Sequence, residues 1–367
     1  MKIALLTSSR SDYGIYFPLI KEIYSHSFFQ LDLIVFGTHN SYFFGETIKQ
    51  IENDGFLVKY IINSLILGEG PEAIADSMGI TFMKFSSIWK NEDYKLCITL
   101  GDRFEMFAAA YSSLPFNVPI AHISGGEITL GAIDNTFRDA LSVIAKFNFA
   151  STEIYKSRII SIKGESSGIY NVGALNIDNL NSLNFLSILE FKTKYKIDLS
   201  KPSILFTFHP ETVSFEKNSE YIDEIINALL EIKNYQLIIT MPNADTMGHL
   251  IREKLTNFIK LNNYAHGVES FGTLGYLSCM KHCSFMLGNT SSGFVEASFF
   301  PKYVINLGNR QLGRIITSNI NNCRIDKESI LNAVNEFEKF VPNKSEHRIY
   351  GDGNSAKKIV EILNKLF

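Results

Sequence analysis

Short apolar runs that stop abruptly in polar clusters recur along this chain. Residues 3–7 form one and end in Ser8-Ser9-Arg10-Ser11-Asp12-Tyr13-Gly14; residues 31–36 end in Gly37-Thr38-His39. Residues 95–100 run into Gly101-Asp102-Arg103, and residues 119–123 into Ser124-Gly125-Gly126-Glu127. Continuous apolar runs of this length predict strands buried on both faces of a parallel sheet. An amphipathic stretch at 16–24 predicts a helix, and strands alternating with helices predict a doubly wound sheet. A second series follows the Asn- and Ser-rich segment 176–184. Residues 203–208 end in His209-Pro210-Glu211-Thr212, and residues 237–240 end in Met241-Pro242-Asn243-Ala244-Asp245. Residues 285–287 and 303–307 close the series. The pattern therefore predicts an α/β chain of two Rossmann-like parallel-sheet domains, 1–175 and 176–352, with a last helix in 353–367 joined to the first. No repeat of solenoid length and no low-complexity tract interrupts it.

In such sheets ligands sit outside the carboxyl ends of the strands, and every polar cluster just named falls there. The richest is the stretch 284–314. Its apolar run turns at Gly288-Asn289, offers the hydroxyls of Thr290, Ser291 and Ser292, and predicts a helix over 294–300 before Pro301. The free N–H groups and positive dipole end of a helix start suit a phosphate. Glu296 stands one turn in, where it can accept from ribose hydroxyls. Arg310 and Arg314 on the glycine-flexed loop after residues 303–307 suit a pyrophosphate. Asn289 and its hydroxyls would serve equally as plain helix caps, and this stretch taken alone does not decide between the two.

Composition narrows the partners. The 367 residues are 46% hydrophobic and 20% charged, enough for two domains with real cores. A net charge of -3 argues against a nucleic-acid partner, which needs a broad basic face. Cys97, Cys279, Cys283 and Cys323 show no C-x-x-C pair and no zinc-finger spacing, so we expect a reduced cytoplasmic chain without a structural metal. The N-terminal apolar run is too short for a signal peptide, and no run nears the roughly 20 residues of a membrane helix.

Taken together, SSRSDYG at 8–14, LGDRFEMFAAA at 100–110, AHISGGE at 121–127, GAIDNTFRDA at 131–140, FHPET at 208–212, GNTSSGFVEA at 288–297 and INLGNRQLGR at 305–314 resemble one family. It is that of the hydrolysing UDP-N-acetylglucosamine 2-epimerases of sialic and related nonulosonic acid biosynthesis, which includes enzymes acting on UDP-N,N'-diacetylbacillosamine. The resemblance implies a two-domain GT-B fold, with the nucleotide in the second domain and the sugar in the cleft. It implies elimination of UDP across carbons 1 and 2 to a 2-acetamidoglucal, then water addition, releasing an N-acetylmannosamine-type sugar. It further implies a homodimer or homotetramer packed through first-domain helices, with no cofactor. That chemistry needs a carboxylate base at carbon 2, an acid for the return proton, and cations or amides around the departing UDP.

Carried over position by position, Asp102 and Asp134 match carboxylates used around the sugar, and His209 matches a histidine near the leaving pyrophosphate. Arg10 would approach the phosphates from the first domain. Thr290, Ser291, Ser292 and Arg310 would hold them from the second, Glu296 the ribose, and Asn243 a further nucleotide contact; Arg103 would line the cleft. One position departs: family members carry glutamate or histidine two residues after the motif histidine, where this chain has Ser124. Serine is a poor acid or base at neutral pH, and Glu127 is the nearest carboxylate to replace it. Plainer readings stand beside these. Asp102 could cap the helix after it, Glu127 could form a surface bridge with Arg138, and His122 could be a core residue. Phe104, Phe107 and Tyr111 follow helical spacing and read as core. A GT-B glycosyltransferase, a UDP-sugar binder without turnover, and a non-hydrolysing epimerase are the alternatives.

Overall fold

The computed structural model describes residues 1–42, 45, 47–68, 70–213, 215–242, 248–341 and 348–367. They divide into two compact units, one of residues 1–127, 133–181 and 350–367, the other of 128–132 and 182–349.

The first unit is a seven-stranded parallel sheet. Its strands are β1 (Lys2–Thr7), β2 (Gln30–Val35), β3 (Val58–Ile61), β4 (Leu96–Leu100), β5 (Ile120–Ile123), β6 (Phe147–Ala150) and β7 (Ile169–Asn171), in the order β3-β2-β1-β4-β5-β6-β7. Side chains alternate across a strand, so β1 feeds two cores. Ile3 and Leu5 pack with Tyr13, Tyr16 and Leu19 on one face, while Ala4 and Leu6 pack with Phe85 and Trp89 on the other. Both faces are covered, which is why these strands read as unbroken apolar runs. The order reverses between β1 and β4, and that switch point is where such sheets bind ligands.

The second unit repeats the plan with six parallel strands: β8 (Ser203–Thr207), β9 (Gln236–Thr240), β10 (Ala265–Val268), β11 (Phe285–Gly288), β12 (Val304–Leu307) and β13 (Ile320–Cys323). Their order is β10-β9-β8-β11-β12-β13, so its switch point lies between β8 and β11. The segment Ile128–Ala132 belongs with this unit, Leu130 donating its N–H to the Leu312 carbonyl at 2.9 Å.

Three elements differ from their sequence reading. The first helix runs from Arg10 to Tyr24, not from residue 16, because Ser9 and Asp12 close a capping box at its start. It also carries Pro18, which cannot donate to the Gly14 carbonyl four residues back. Asn179 supplies the missing donor from outside, its amide 2.8 Å from that carbonyl. The Asn- and Ser-rich segment after which the second series of strands is expected to start forms the helix Leu175–Ser182. Two of its polar side chains, Asp178 and Asn179, are buried, and each meets backbone groups distant in sequence. Asp178 accepts the N–H groups of Ser355 and Ala356 at 2.9 and 2.7 Å, capping the last helix, Ser355–Leu366, which places Ile359 and Leu363 in the β1 core. The helix expected over 294–300 is a single turn, Glu296–Phe299, preceded by a 3₁₀ turn at Ser291–Gly293. Among the described residues no helix is long and apolar enough to cross a membrane.

Candidate active site

At the first switch point, the turn after β1 is built on Asp12. Its carboxylate accepts the Ser8 and Ser9 N–H groups at 2.9 and 3.0 Å and the Ser8 hydroxyl at 2.9 Å. Thr7 donates its hydroxyl to the same group and accepts from His39 Nε2 at 2.8 Å. Burial alone would push the Asp12 carboxyl up, but His39, Thr7 and Ser8 outweigh it and hold it below the usual carboxylate range. The result is a rigid turn that presents Arg10, half-buried, as the first residue of its helix.

Across the switch point, β4 ends in Gly101-Asp102-Arg103. Arg103, not Asp102, takes the cap position of the helix Phe104–Tyr111. Asp102 is instead ion-paired with Arg138 Nη2. Arg138 is 3% exposed, and its other terminal nitrogen donates to the Glu127 carbonyl at 3.1 Å. One guanidinium thus joins the strand end carrying Asp102 to the loop carrying Glu127. Glu127 is buried rather than part of a surface bridge, and its carboxylate accepts the Ser151 hydroxyl at 3.0 Å. Arg103 Nε donates to Glu105 Oε1 at 2.7 Å, and burial raises that carboxyl even against the arginine. Asp134, half-buried, opens the helix Asp134–Ile144, which also carries Arg138. Arg138 and Glu105 went unselected in the sequence, although both stand inside quoted motifs; an arginine five residues into a helix reads as solvated until its burial is known.

His122 on β5 is fully buried, as its core reading expects. Its Nε2 lies 2.7 Å from the Gly101 carbonyl, and burial depresses the ring to about 4. Ser124 follows with a left-handed φ of 62°, half-buried.

In the second unit β11 ends at Gly288, whose φ is 143° and where a Cβ would lie 1.8 Å from the Thr207 carbonyl oxygen on β8. Only glycine fits so close a strand pair. Asn289 is then fully buried, its side chain bridging both backbone groups of His209: it accepts from the N–H at 2.7 Å and donates to the carbonyl at 2.8 Å. Asn289 thus caps no helix but ties the ends of β8 and β11 together. Thr290 caps the 3₁₀ turn, with Ser292 N–H 3.4 Å from its hydroxyl, and Ser292 Oγ lies 2.5 Å from the Tyr276 hydroxyl. Ser291 is exposed. A single turn of helix has little dipole, so anion capacity here rests on the turn's N–H groups and hydroxyls. Glu296 begins that turn, half-buried.

The loop after β12 is clasped from two sides. Glu211 Oε1 accepts the Asn309 N–H at 2.6 Å, and Gln311 donates to the Asn289 carbonyl at 2.8 Å while accepting from Arg314 Nε at 2.7 Å. Arg310, half-buried, stands between these anchors; Arg314 is buried as part of the clasp. Asn243 lies outside the described residues.

Two doubly wound parallel sheets, each with its polar residues gathered where the strand order reverses, define a GT-B-type α/β protein. Residues 21–364 match the family model for UDP-N-acetylglucosamine 2-epimerase. The chain is 34% identical over 320 residues to the GDP/UDP-N,N'-diacetylbacillosamine 2-epimerase (hydrolyzing) of Campylobacter jejuni, covering 87% of this chain and 83% of that one. It is 32% identical over 343 residues to the polysialic acid biosynthesis protein P7 of Escherichia coli, covering 93% and 87%. The crystal structure of UDP-GlcNAc 2-epimerase from Neisseria meningitidis bound to UDP-GlcNAc superposes over 100% of both chains with a TM-score of 0.84 at 19% identity. The chain belongs to the UDP-N-acetylglucosamine 2-epimerase family of enzymes, with its hydrolysing members among its relatives.

Proposed function

We propose that the chain hydrolyses a UDP-linked 2-acetamido sugar with inversion at carbon 2, through a 2-acetamidoglucal, to UDP and a free N-acetylmannosamine-type sugar for nonulosonic acid biosynthesis. The observation that carries this reading is the Asp102–Arg138–Glu127 arrangement: one buried guanidinium that pairs with the Asp102 carboxylate and donates to the main-chain carbonyl of Glu127, beyond the carboxyl ends of β4 and β5. Carbon 2 needs a base to remove its proton and an acid to return one on the other face, and two separately supported carboxylates meet that demand. Asp102, Glu127 and Asp134 take the proton transfers, and His209 assists the departing phosphate. Thr290, Ser291, Ser292, Arg310 and Arg10 neutralise the pyrophosphate, Glu296 holds the ribose, Arg103 lines the sugar site, and Asn243 adds a nucleotide contact.

Between UDP-N-acetylglucosamine and UDP-N,N'-diacetylbacillosamine, the names of the Campylobacter jejuni and Legionella pneumophila relatives, at 34% and 29% identity, favour the second. Proton NMR in deuterated water with each nucleotide sugar tests both points. Release of UDP with a 2-epimer deuterated at carbon 2 is the expected result; an intact nucleotide sugar from both substrates would remove the proposal. We place the enzyme in the cytoplasm, where its four unpaired, buried cysteines stay reduced. A homodimer or homotetramer is supported by the exposed apolar side chains Met83, Tyr111, Leu114 and Phe116, and sedimentation of the purified chain tests it.

A further inference from the structure

His122 lies two residues before the Ser124 departure, is completely buried, and meets both the strand end that precedes Asp102 and the helix that carries Arg138. Its Nε2 is 2.7 Å from the Gly101 carbonyl, one residue before Asp102. A carbonyl only accepts, so Nε2 carries the proton. In the neutral ring Nδ1 accepts, so it takes the single proton of the Ser142 hydroxyl at 3.2 Å; Ser142 stands one helical turn after Arg138 on the same helix, its oxygen 3.0 Å from the Arg138 carbonyl. Asn148 braces the far side by donating to the Ser142 carbonyl at 3.1 Å.

The cluster has no room for anything else. A Cβ on Gly125 would lie 2.8 Å from Ser142 Oγ, 3.0 Å from His122 Nδ1 and 3.2 Å from Asn148 Oδ1, so the Ser124–Gly126 turn lies directly over the imidazole. No substrate atom reaches a ring so enclosed. The charged groups on the elements around it are Asp102 beyond β4, Glu127 beyond β5, and Asp134, Arg138 and Asp139 on the helix Asp134–Ile144; Asp139 is itself neutralised by Arg158 at 2.6 and 2.7 Å.

We infer that His122 is a positioning residue rather than an acid or base: as a neutral ring it pins the backbone before Asp102 and the helix turn carrying Arg138, and so sets the geometry of that pair. The inference rests on the reading that Asp102 works on the sugar. A histidine inside an active-site motif would ordinarily be the first choice for proton transfer. Burial and its fixed neighbours Gly101, Ser142 and Asn148 remove it from that role and leave it the task of holding them in place, as outer-shell partners do elsewhere.

The test compares His122→Gln with His122→Ala. A glutamine amide can donate to the Gly101 carbonyl but cannot titrate. We expect H122Q to stay within about tenfold of the parent kcat with an unshifted pH profile, and H122A to lose ~100-fold in kcat with KM little changed, the cost of a misplaced catalytic group. An H122Q enzyme that melts like the parent and is as inactive as H122A would overturn the inference. Should H122A fail to fold, nitrogen-15 NMR of labelled histidine in the unaltered enzyme reads the same point. A His122 ring that stays neutral with its proton on Nε2 from pH ~5.5 to 8 supports the inference, and one that titrates near its ordinary value of about 6.5 overturns it. Asp102→Asn, assayed alongside, separates the two claims: an active D102N removes Asp102 from the chemistry whatever His122 shows.

Discussion

Replacing Asn289 by alanine should destabilise the second unit selectively. The side chain is fully buried and satisfies the N–H and the carbonyl of His209, at 2.7 and 2.8 Å. Alanine removes both bonds in a site where His209 itself is only 8% exposed. Removing one partner of a buried hydrogen bond costs about 1–3 kcal/mol, so the loss of two, with some relief from entering water, gives about 3 kcal/mol. The bond from Gln311 to the Asn289 carbonyl is made by backbone and survives. For a unit of this size the loss corresponds to a fall of about 6–12 °C in its melting temperature, readable by scanning calorimetry. Asn289→Asp keeps the acceptor but sets a carboxylate oxygen against the His209 carbonyl, and should fall further. A drop below about 2 °C for N289A, the range of ordinary surface changes, would refute the idea that this amide ties β8 to β11.

Four further outcomes follow from the same geometry. Asp12 is held below its unfolded value of 3.8, so its contribution to stability is present above that value and lost as pH falls through the folded one; between pH ~5 and 3 the melting temperature should fall more steeply for the parent than for D12N. Asn179→Ala strands the Gly14 carbonyl opposite Pro18 and should cost about 1–3 kcal/mol in urea denaturation; an unchanged midpoint would mean another donor had replaced it. Gly288→Ala places a methyl 1.8 Å from the Thr207 carbonyl oxygen and should yield no soluble protein, against which normal expression would count. Glu296→Ala should weaken UDP binding about 10–150-fold by calorimetry if the carboxylate holds the ribose, and leave it unchanged if the group only begins its helical turn.

The fold class was legible because the central strands are covered on both faces and therefore read as apolar runs. Five strands have no counterpart among those runs, all further from the switch points: β3 and β10 alternate in burial, β6 interrupts its four residues with Asn148, β7 has three residues, and β13 carries Asn321 and Asn322. The helix Leu175–Ser182 escaped because it inverts the usual code. Asp178 and Asn179 are 6% and 3% exposed, each buried to satisfy a backbone group far away in sequence. Composition cannot separate such a residue from one in a solvated linker, since the partner is what differs. The candidate site divides in the same way. Asp102, Glu127, His209 and Thr290 announce themselves as polar residues at strand ends. Arg138 and Glu211 enter the sequence reading only as a bridge partner and a member of a polar cluster, and Gln311 and Tyr276, which hold the loop after β12 and the Ser292 hydroxyl, carry no local mark of that task.

Ser124 shows how backbone and chemistry meet at one position. A left-handed residue other than glycine, asparagine or aspartate costs on the order of 1–2 kcal/mol, yet the chain keeps serine at φ 62° there. The next two positions explain why the bend must fall where it does. Gly125 has the His122 cluster beneath it, and a Cβ on Gly126 would lie 2.4 Å from the Tyr155 carbonyl oxygen, so neither can bear a side chain. Ser124 is the last residue of the turn with room for one, and it is half-buried. A glutamate there would bear the same backbone cost and would add a carboxylate within three residues of Glu127, which Ser151 already supports. Ser124 and the buried, hydrogen-bonded Glu127 therefore stand at the two ends of one turn, whose middle, Gly125 and Gly126, has no room for a side chain.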